Sequence, residues 1–210
     1  MKIGITLDGV VRDFITKFEL VYDKYYPEID EETGEPKEIK REITDLNLLN
    51  HFEFSGGTTD LNKFLYVDSS LEVFGHAGEV KLNSVEYLNQ LHNLIEDMGH
   101  TPIIISKELN NSKPATLFFL SKLSCKVNNI KFVRDYPNKW DDVDILITAN
   151  PETLQCKPTG KTSIKVINTY NKDIESDFTI VDLKEMVDDV KLLEKILKTE
   201  TVEYEDINEG

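Results

Sequence analysis

KIGITLDGVVRDF, residues 2–14, sets a β-branched apolar run directly against an Asp-Gly pair. Lys2 to Leu7 has the composition of a short strand, and Asp8-Gly9 is a turn signal immediately after it. Val10, Phe14, Phe18, Val21 and Tyr25 then recur at three- and four-residue intervals, the spacing of an amphipathic helix, which Pro27 ends. A strand passing through a tight turn into a helix is the opening unit of an α/β domain, so the remaining chain is read for further such units.

They return after a gap. Glu28 to Glu42 is almost wholly charged and reads as a solvated loop or mobile hairpin. From Ile43 to Val80 the apolar spacing is irregular and broken by Gly56-Gly57, which predicts short helices and loops. From Asn83 the pattern is regular again: Val85, Leu88, Leu91, Ile95 and Met98 share one helix face, and Gly99 suits the C-cap. Pro102 to Ser106 (PIIIS) is an apolar strand of the type a parallel sheet buries on both faces. Pro114 begins the next helix, ATLFFLSKL. Strand-like runs follow at 129–133, 144–148, 163–167 and 178–181. A last helix over 183–198 places Leu183, Val187, Val190, Leu193 and Leu197 together, and an acidic tail, TVEYEDINEG, is expected to fray.

Helices and apolar strands in alternation predict an α/β fold: a mainly parallel sheet with helices on both faces. Ligands in such sheets sit beyond the carboxyl ends of the strands. The residues to inspect are therefore Thr6-Leu7-Asp8-Gly9-Val10, Ser106, Lys113 and Thr148-Ala149-Asn150-Pro151.

Composition narrows the partners. The chain has 210 residues, enough for one domain with an inserted subdomain. Its 39 acidic against 24 basic residues give a net charge of −15, which repels nucleic-acid backbones, so no direct nucleic-acid partner is expected. The least acidic stretch, Lys157 to Lys172, reads as a loop and edge strand with its lysines in water. No apolar run is long enough for a membrane span, and MKIGITLDG lacks the apolar core of a signal peptide. Cys125 and Cys156 have no metal-ligand spacing and read as reduced thiols. These features place the protein in the cytoplasm, or in a particle assembled there. None of the four histidines has ligand spacing; His76, in FGHAG, reads as a structural histidine.

The ordered set of strand ends resembles the HAD superfamily in the form of its 5′(3′)-deoxyribonucleotidases. IGITLDGVVRDF is similar to motif I, DxDGV followed by an Asp-Phe pair, here Asp13-Phe14. Ser106 resembles motif II, Lys113 the motif III lysine with Lys122 as a competing candidate, and VDILITANPETL motif IV. The likeness spans roughly residues 1–170 and implies a HAD-like, Rossmann-type three-layer core with a helical cap inserted after the first strand. On this reading residues 1–14 and 82–198 form the core, 15–81 the cap insert and 199–210 a flexible tail.

The resemblance also implies a mechanism, and the residues depart from it. Thr6 stands where the family has its nucleophilic carboxylate, while Asp8 keeps the acid/base position. Thr148 and Ala149 replace the motif IV acids that help hold Mg²⁺, which usually needs one or two protein carboxylates. Asp141, Asp142 and Asp144 precede that strand, and about 3.3 Å per residue puts them at the wrong edge of the sheet. The positions equivalent to the catalytic ones, Thr6, Asp8, Ser106 and Lys113, are thus expected not to catalyse, with no metal and no cofactor. Asp8, Gly9, Ser106, Lys113 and Asn150 are the candidate ligand-binding residues. The leading expectation is a non-catalytic, nucleotidase-derived binding or assembly component with a protein partner, of the kind found among tailed-phage virion or accessory proteins. The alternatives are an active Mg²⁺-dependent 5′-nucleotidase and a nucleotide-binding regulator. In the insert, Phe52, Phe54, Phe64, Leu65, Tyr66 and Phe74 form the clearest loop-borne apolar cluster and the candidate docking surface.

Overall fold

The computed structural model describes residues 1–37 and 39–198; the acidic tail expected at 199–210 lies outside the described residues. A six-stranded sheet organises it. Its strands are β1 (Lys2–Ile5), β4 (Thr101–Lys107), β5 (Ile130–Val133), β6 (Ile145–Thr148), β7 (Thr162–Val166) and β8 (Phe178–Ile180). They lie in the order β5-β4-β1-β6-β7-β8, and every pairing is parallel. The order reverses direction at β1, so the carboxyl ends of β1, β4 and β6 open into the crevice where such sheets bind ligands.

Side-chain alternation splits the core into two faces. Ile3, Ile5, Ile104, Ile145, Ile147 and Ile164 join one buried cluster, whereas Ile103, Ile105 and Leu146 join another around Trp140. Neighbours one residue apart point to opposite sides of a strand, and both sides are buried, which is why PIIIS reads as an unbroken apolar run. The first face is covered by α3 (Ser84–Asp97) and by α6 (Leu183–Asp188) and α7 (Val190–Lys198). Helix α3 buries the residues its periodicity predicts, Val85, Leu88, Leu91 and Ile95. Gly99 closes it at φ +78°, with Gly99 N–H on Glu96 O and His100 N–H on Ile95 O.

The last helix is two. Asp189 leaves helical geometry at φ −110° and ψ 80°, and its Oδ1 and carbonyl both accept from Leu192 N–H to start α7. The break turns the apolar face, so Met186, Leu193, Ile196 and Leu197 are buried with Leu183 while Val190 is exposed. The expected edge strand is also corrected. β7 is interior, flanked by β6 and β8, with all five residues buried. Lys165 is buried there because its ammonium donates to the carbonyls of Lys172 and Ile174, and Lys157 is paired with Asp177.

The insert leaves and rejoins the sheet domain through a two-stranded antiparallel stem, β2 (Arg12–Asp13) against β3 (Gly78–Glu79). The first helix, α1 (Phe14–Tyr25), starts later than its apolar spacing suggests. Residues 7–12 form a turn in which Leu7 O accepts from Val10, Val11 and Arg12 N–H, and the Asp13 side chain then caps α1 at Thr16 N–H. The segment 28–37 is a tight hairpin turn, bridged at Ile29 and Pro36. Further on, Arg41 ties the loop to Glu19 and Asp23 of α1. The rest of the insert is a short 3-10 turn (Leu48–Asn50), α2 (Thr58–Lys63) and two wide turns, Phe64–Asp68 and Leu71–Gly75.

The candidate docking cluster is the insert's own core. Phe52, Phe64, Leu65 and Phe74 are buried, and Phe54 and Tyr66 pack partly buried against them. Phe18 of α1 meets Phe52 and Phe64 edge-on, with centroids 4.7 and 5.8 Å away. Such ring pairs contribute about 0.5–1.5 kcal/mol each beyond area burial. The rings are turned inward because α1 supplies an apolar stripe for them to cover. Among the described residues, no helix is long and apolar enough to cross a membrane.

Candidate functional site

Two threonines meet at the carboxyl ends of β1 and β6. Thr6 Oγ1 donates to Thr148 Oγ1 at 3.2 Å, and Thr148 Oγ1 also accepts from Asn150 N–H at 3.2 Å. Both side chains are buried, and neither lines the open cleft above them. Ala149 is fully buried and packs beside Gly9.

Gly9 is required where it stands. Its φ is +75°, and a Cβ would fall 2.2 Å from Tyr170 Oη and 2.9 Å from Ala149 Cβ. Its N–H closes the turn on Arg12 O, and its carbonyl accepts from Asn168 Nδ2.

Asp8 borders the cleft but is held from behind. Arg12 Nε donates to Asp8 Oδ1 at 2.6 Å, while Nη2 reaches Glu108 Oε1 at 2.9 Å and Nη1 reaches Thr116 Oγ1 at 2.6 Å. Ser106 Oγ also donates to Glu108 Oε1, at 2.9 Å, so the Ser106 hydroxyl faces into the protein. Burial opposes charge on Arg12, yet Asp8 and Glu108 together raise its pKa above the ordinary value. Rings close the remaining sides of the guanidinium, Phe74 at 4.9 Å and Phe119 at 5.6 Å.

The cleft lies between this sheet edge and the insert, with a volume of about 490 Å³. Its insert side is apolar, from residues such as Phe14, Ile43, Leu48 and Leu65. Its core side carries two lysines. Lys107 ends β4, with Nζ 3.8 Å from the centre of the Tyr136 ring. Lys139 lies in the 3-10 turn Pro137–Trp140, with Nζ 5.2 Å from the same ring. Lys139 is 5% exposed, and burial pulls its pKa down to about 8; the carboxylate of Asp8 opposes that and the charge of Lys107 adds to it. Burial likewise lowers Lys107. Neither ammonium makes a hydrogen bond or ion pair among the described residues. Burial pushes the Tyr136 hydroxyl up to about 12, against a hydrogen bond with Asn150. The lysines therefore face an uncharged phenol and an open space, with the carboxylates of Asp8 and Glu152 in the same lining but bonded to neither ammonium.

The expected ligand residues divide accordingly. Asp8, Gly9 and Asn150 border the cleft. Asn150 also caps α5 (Pro151–Gln155), its Oδ1 accepting from Thr153 N–H and Oγ1. Ser106 is buried under Glu108, and Lys113 is exposed on the first turn of α4 (Ser112–Lys122), outside the cleft lining. Lys122 is structural, donating to the carbonyls of Gly75 and Ala77. His76 is exposed and packs on Phe118, and Asp144 binds Lys2 N–H at the far edge of the sheet. The residues missed by sequence reasoning are Lys107, Lys139, Tyr136 and Tyr170. Lys107 directly follows Ser106 at the end of β4, a strand end that the sheet order singles out, whereas YPNKW is the turn after the edge strand β5.

The strand ends do not suit Mg²⁺. They offer two hydroxyls already bonded to one another, a methyl group, and one carboxylate whose Oδ1 is occupied by Arg12. Among the described residues, no group of three or more His, Cys, Asp or Glu side chains could hold a metal ion.

No family model matches the sequence, and no curated protein matches it. Among solved structures, the crystal structure of a dehalogenase with an intermediate complex is similar, with a TM-score of 0.52 at 12% identity over 88% of this chain and 94% of that one. A second crystal structure of a dehalogenase aligns over the same shares at a TM-score of 0.49 and 10% identity. The first likeness shows the fold alone: a Rossmann-type α/β domain like that of the dehalogenase.

Proposed function

We propose that the protein is a non-hydrolytic HAD-fold binding protein that holds a small phosphomonoester anion in the cleft between sheet and insert. The resemblance in sequence to deoxyribonucleotidases makes a nucleoside monophosphate the ligand class. The observation that carries this reading is the pair of lysines, Lys107 and Lys139, facing the cleft without acceptors beside strand ends that hold bonded hydroxyls. A buried ammonium without an acceptor is costly, and an anion in the cleft removes that cost.

The same geometry argues against turnover. In-line attack on phosphorus needs an activated nucleophile. The Thr6 hydroxyl has no base beside it: its proton is directed at Thr148 Oγ1. Asp8 accepts from Arg12 through Oδ1, and its other oxygen has no activated nucleophile beside it to serve. The apolar insert side offers a nucleoside a surface to lie on, while the lysines take the phosphate.

Two measurements on the purified protein test the proposal. Titration calorimetry should detect binding of a deoxynucleoside monophosphate or of inorganic phosphate, with affinity falling as salt rises. Phosphate release from the same monophosphates, with and without Mg²⁺, should stay at background. Mg²⁺-dependent release that disappears in Asp8→Asn would establish the active nucleotidase instead, and absence of anion binding would remove the binding role.

A further inference from the structure

The Lys139 amine has a second capability that anion binding leaves unused. It is nearly all buried, opens onto the cleft, and has no hydrogen-bond or ion-pair partner among the described residues. A second cation, Lys107, faces the same Tyr136 ring. Lysines made nucleophilic in proteins are those desolvated in a pocket or set beside another cation, and Lys139 is both.

We propose that Lys139 is an imine-forming amine, condensing with a small aldehyde or ketone that carries an anionic group and lodges in the cleft. The proposal rests on the anion-binding reading: Lys107 holds the anion and so presents the carbonyl carbon to Lys139 Nζ. The neutral amine attacks that carbon, a C–N bond forms, and the carbonyl oxygen takes up a proton. The carbinolamine then loses its C–O bond, the nitrogen gives up its remaining proton, and one water leaves. Amine plus carbonyl gives imine plus water, with no oxidant or reductant. The fall of the Lys139 pKa to about 8 leaves a usable neutral fraction near neutrality, where an exposed lysine has almost none. The Tyr136 hydroxyl, hydrogen-bonded to Asn150 and held protonated by burial, is a donor positioned in the same lining.

Glyoxylate is the probe, being an aldehyde with a carboxylate, and acetaldehyde is the uncharged control. The purified protein is treated near pH 8 with limiting aldehyde and cyanoborohydride, which reduces the imine to a stable amine, and peptide mass spectrometry locates the label. The expected result is label on Lys139 in about tenfold preference over exposed Lys113 and Lys172, faster with glyoxylate than with acetaldehyde, and slowed by inorganic phosphate. Lys139→Arg should lose that label; mapping the unmutated protein reads the same site if this variant fails to fold. Label spread over exposed lysines without preference for Lys139 overturns the proposal. Calorimetry with inorganic phosphate on the same preparation separates the two failures. Phosphate binding without Lys139 labelling sinks imine formation alone, and loss of both sinks the anion-binding reading beneath it.

Discussion

Arg12 Nε stands 2.6 Å from Asp8 Oδ1, with the guanidinium wholly buried and the carboxylate 38% exposed. The pair joins the cleft to the stem of the insert, because Arg12 lies on β2 and its other nitrogens are held by Glu108 and Thr116. Asp8 is thereby fixed as a wall of the cleft, and the stem is fixed to β4 and α4.

Removing Arg12 leaves Glu108 buried without its cation. Glu108 Oε2 already lacks a partner among the described residues, and Oε1 would keep only the hydroxyls of Ser106 and Thr116, which carry no charge. Arg12→Met is expected to cost about 3–5 kcal/mol, measured by urea unfolding. Arg12→Met with Glu108→Gln should recover much of that loss, since both charges then leave together. Equal losses in the single and double variants would deny that charge is the cause.

Gly9→Ala tests the turn below the cleft. The new methyl meets Tyr170 Oη at 2.2 Å in a backbone conformation that L-residues rarely adopt. The strain alone is about 1–3 kcal/mol. Gly9→Ala with Tyr170→Phe should recover the part of the clash made by the Tyr170 hydroxyl, but neither the Ala149 contact nor the backbone part. Thermal unfolding of both variants reads the difference.

The strands are legible because their apolar runs are continuous, and the strand ends because parallel sheets put ligands there. Ser106 and Lys113 misled for one reason: sequence order says which residue follows a strand, not which way its side chain turns. Glu108, two residues on, draws Ser106 inward, and Lys113 sits on an exposed helical turn. Lys139 is invisible for the converse reason. A lysine among charged and aromatic residues reads as solvated, and only the packing of Tyr136 and Trp140 around the turn shows it buried. The insert's rings raised the same difficulty, since irregular spacing does not say that α1 covers them.

Thr6 and Thr148 set the next test. Their oxygens are 3.2 Å apart, too close for two ionised carboxylates without a cation between them. Thr6→Asp with Thr148→Asp should lower the melting temperature in chelator and regain part of the loss with Mg²⁺, while the parent protein shows no Mg²⁺ response. A folded double variant indifferent to Mg²⁺ would argue that these strand ends are not equivalent to the HAD metal-binding motifs that their sequence resembles.

The pH dependence follows from Lys139. Burial brings its pKa to about 8 in the folded chain, against 10.5 ordinarily. The unfolded chain binds more protons between those values, so stability rises with pH across that window, and the full cost of the buried charge is present below it. Lys139→Met removes the charge. It should therefore be more stable than the parent at neutral pH by about 2–3 kcal/mol, with the gap closing towards pH 10.5. Anion binding reverses the sign of the shift, because a bound phosphate favours the ammonium. Phosphate affinity should then fall as pH rises through about 8, and binding above that value should take up protons. Calorimetry in buffers of different ionisation enthalpy measures the uptake directly. A binding enthalpy independent of buffer, or an affinity flat from pH 7 to 9 once the ionisation of phosphate itself is allowed for, would place the anion away from Lys139.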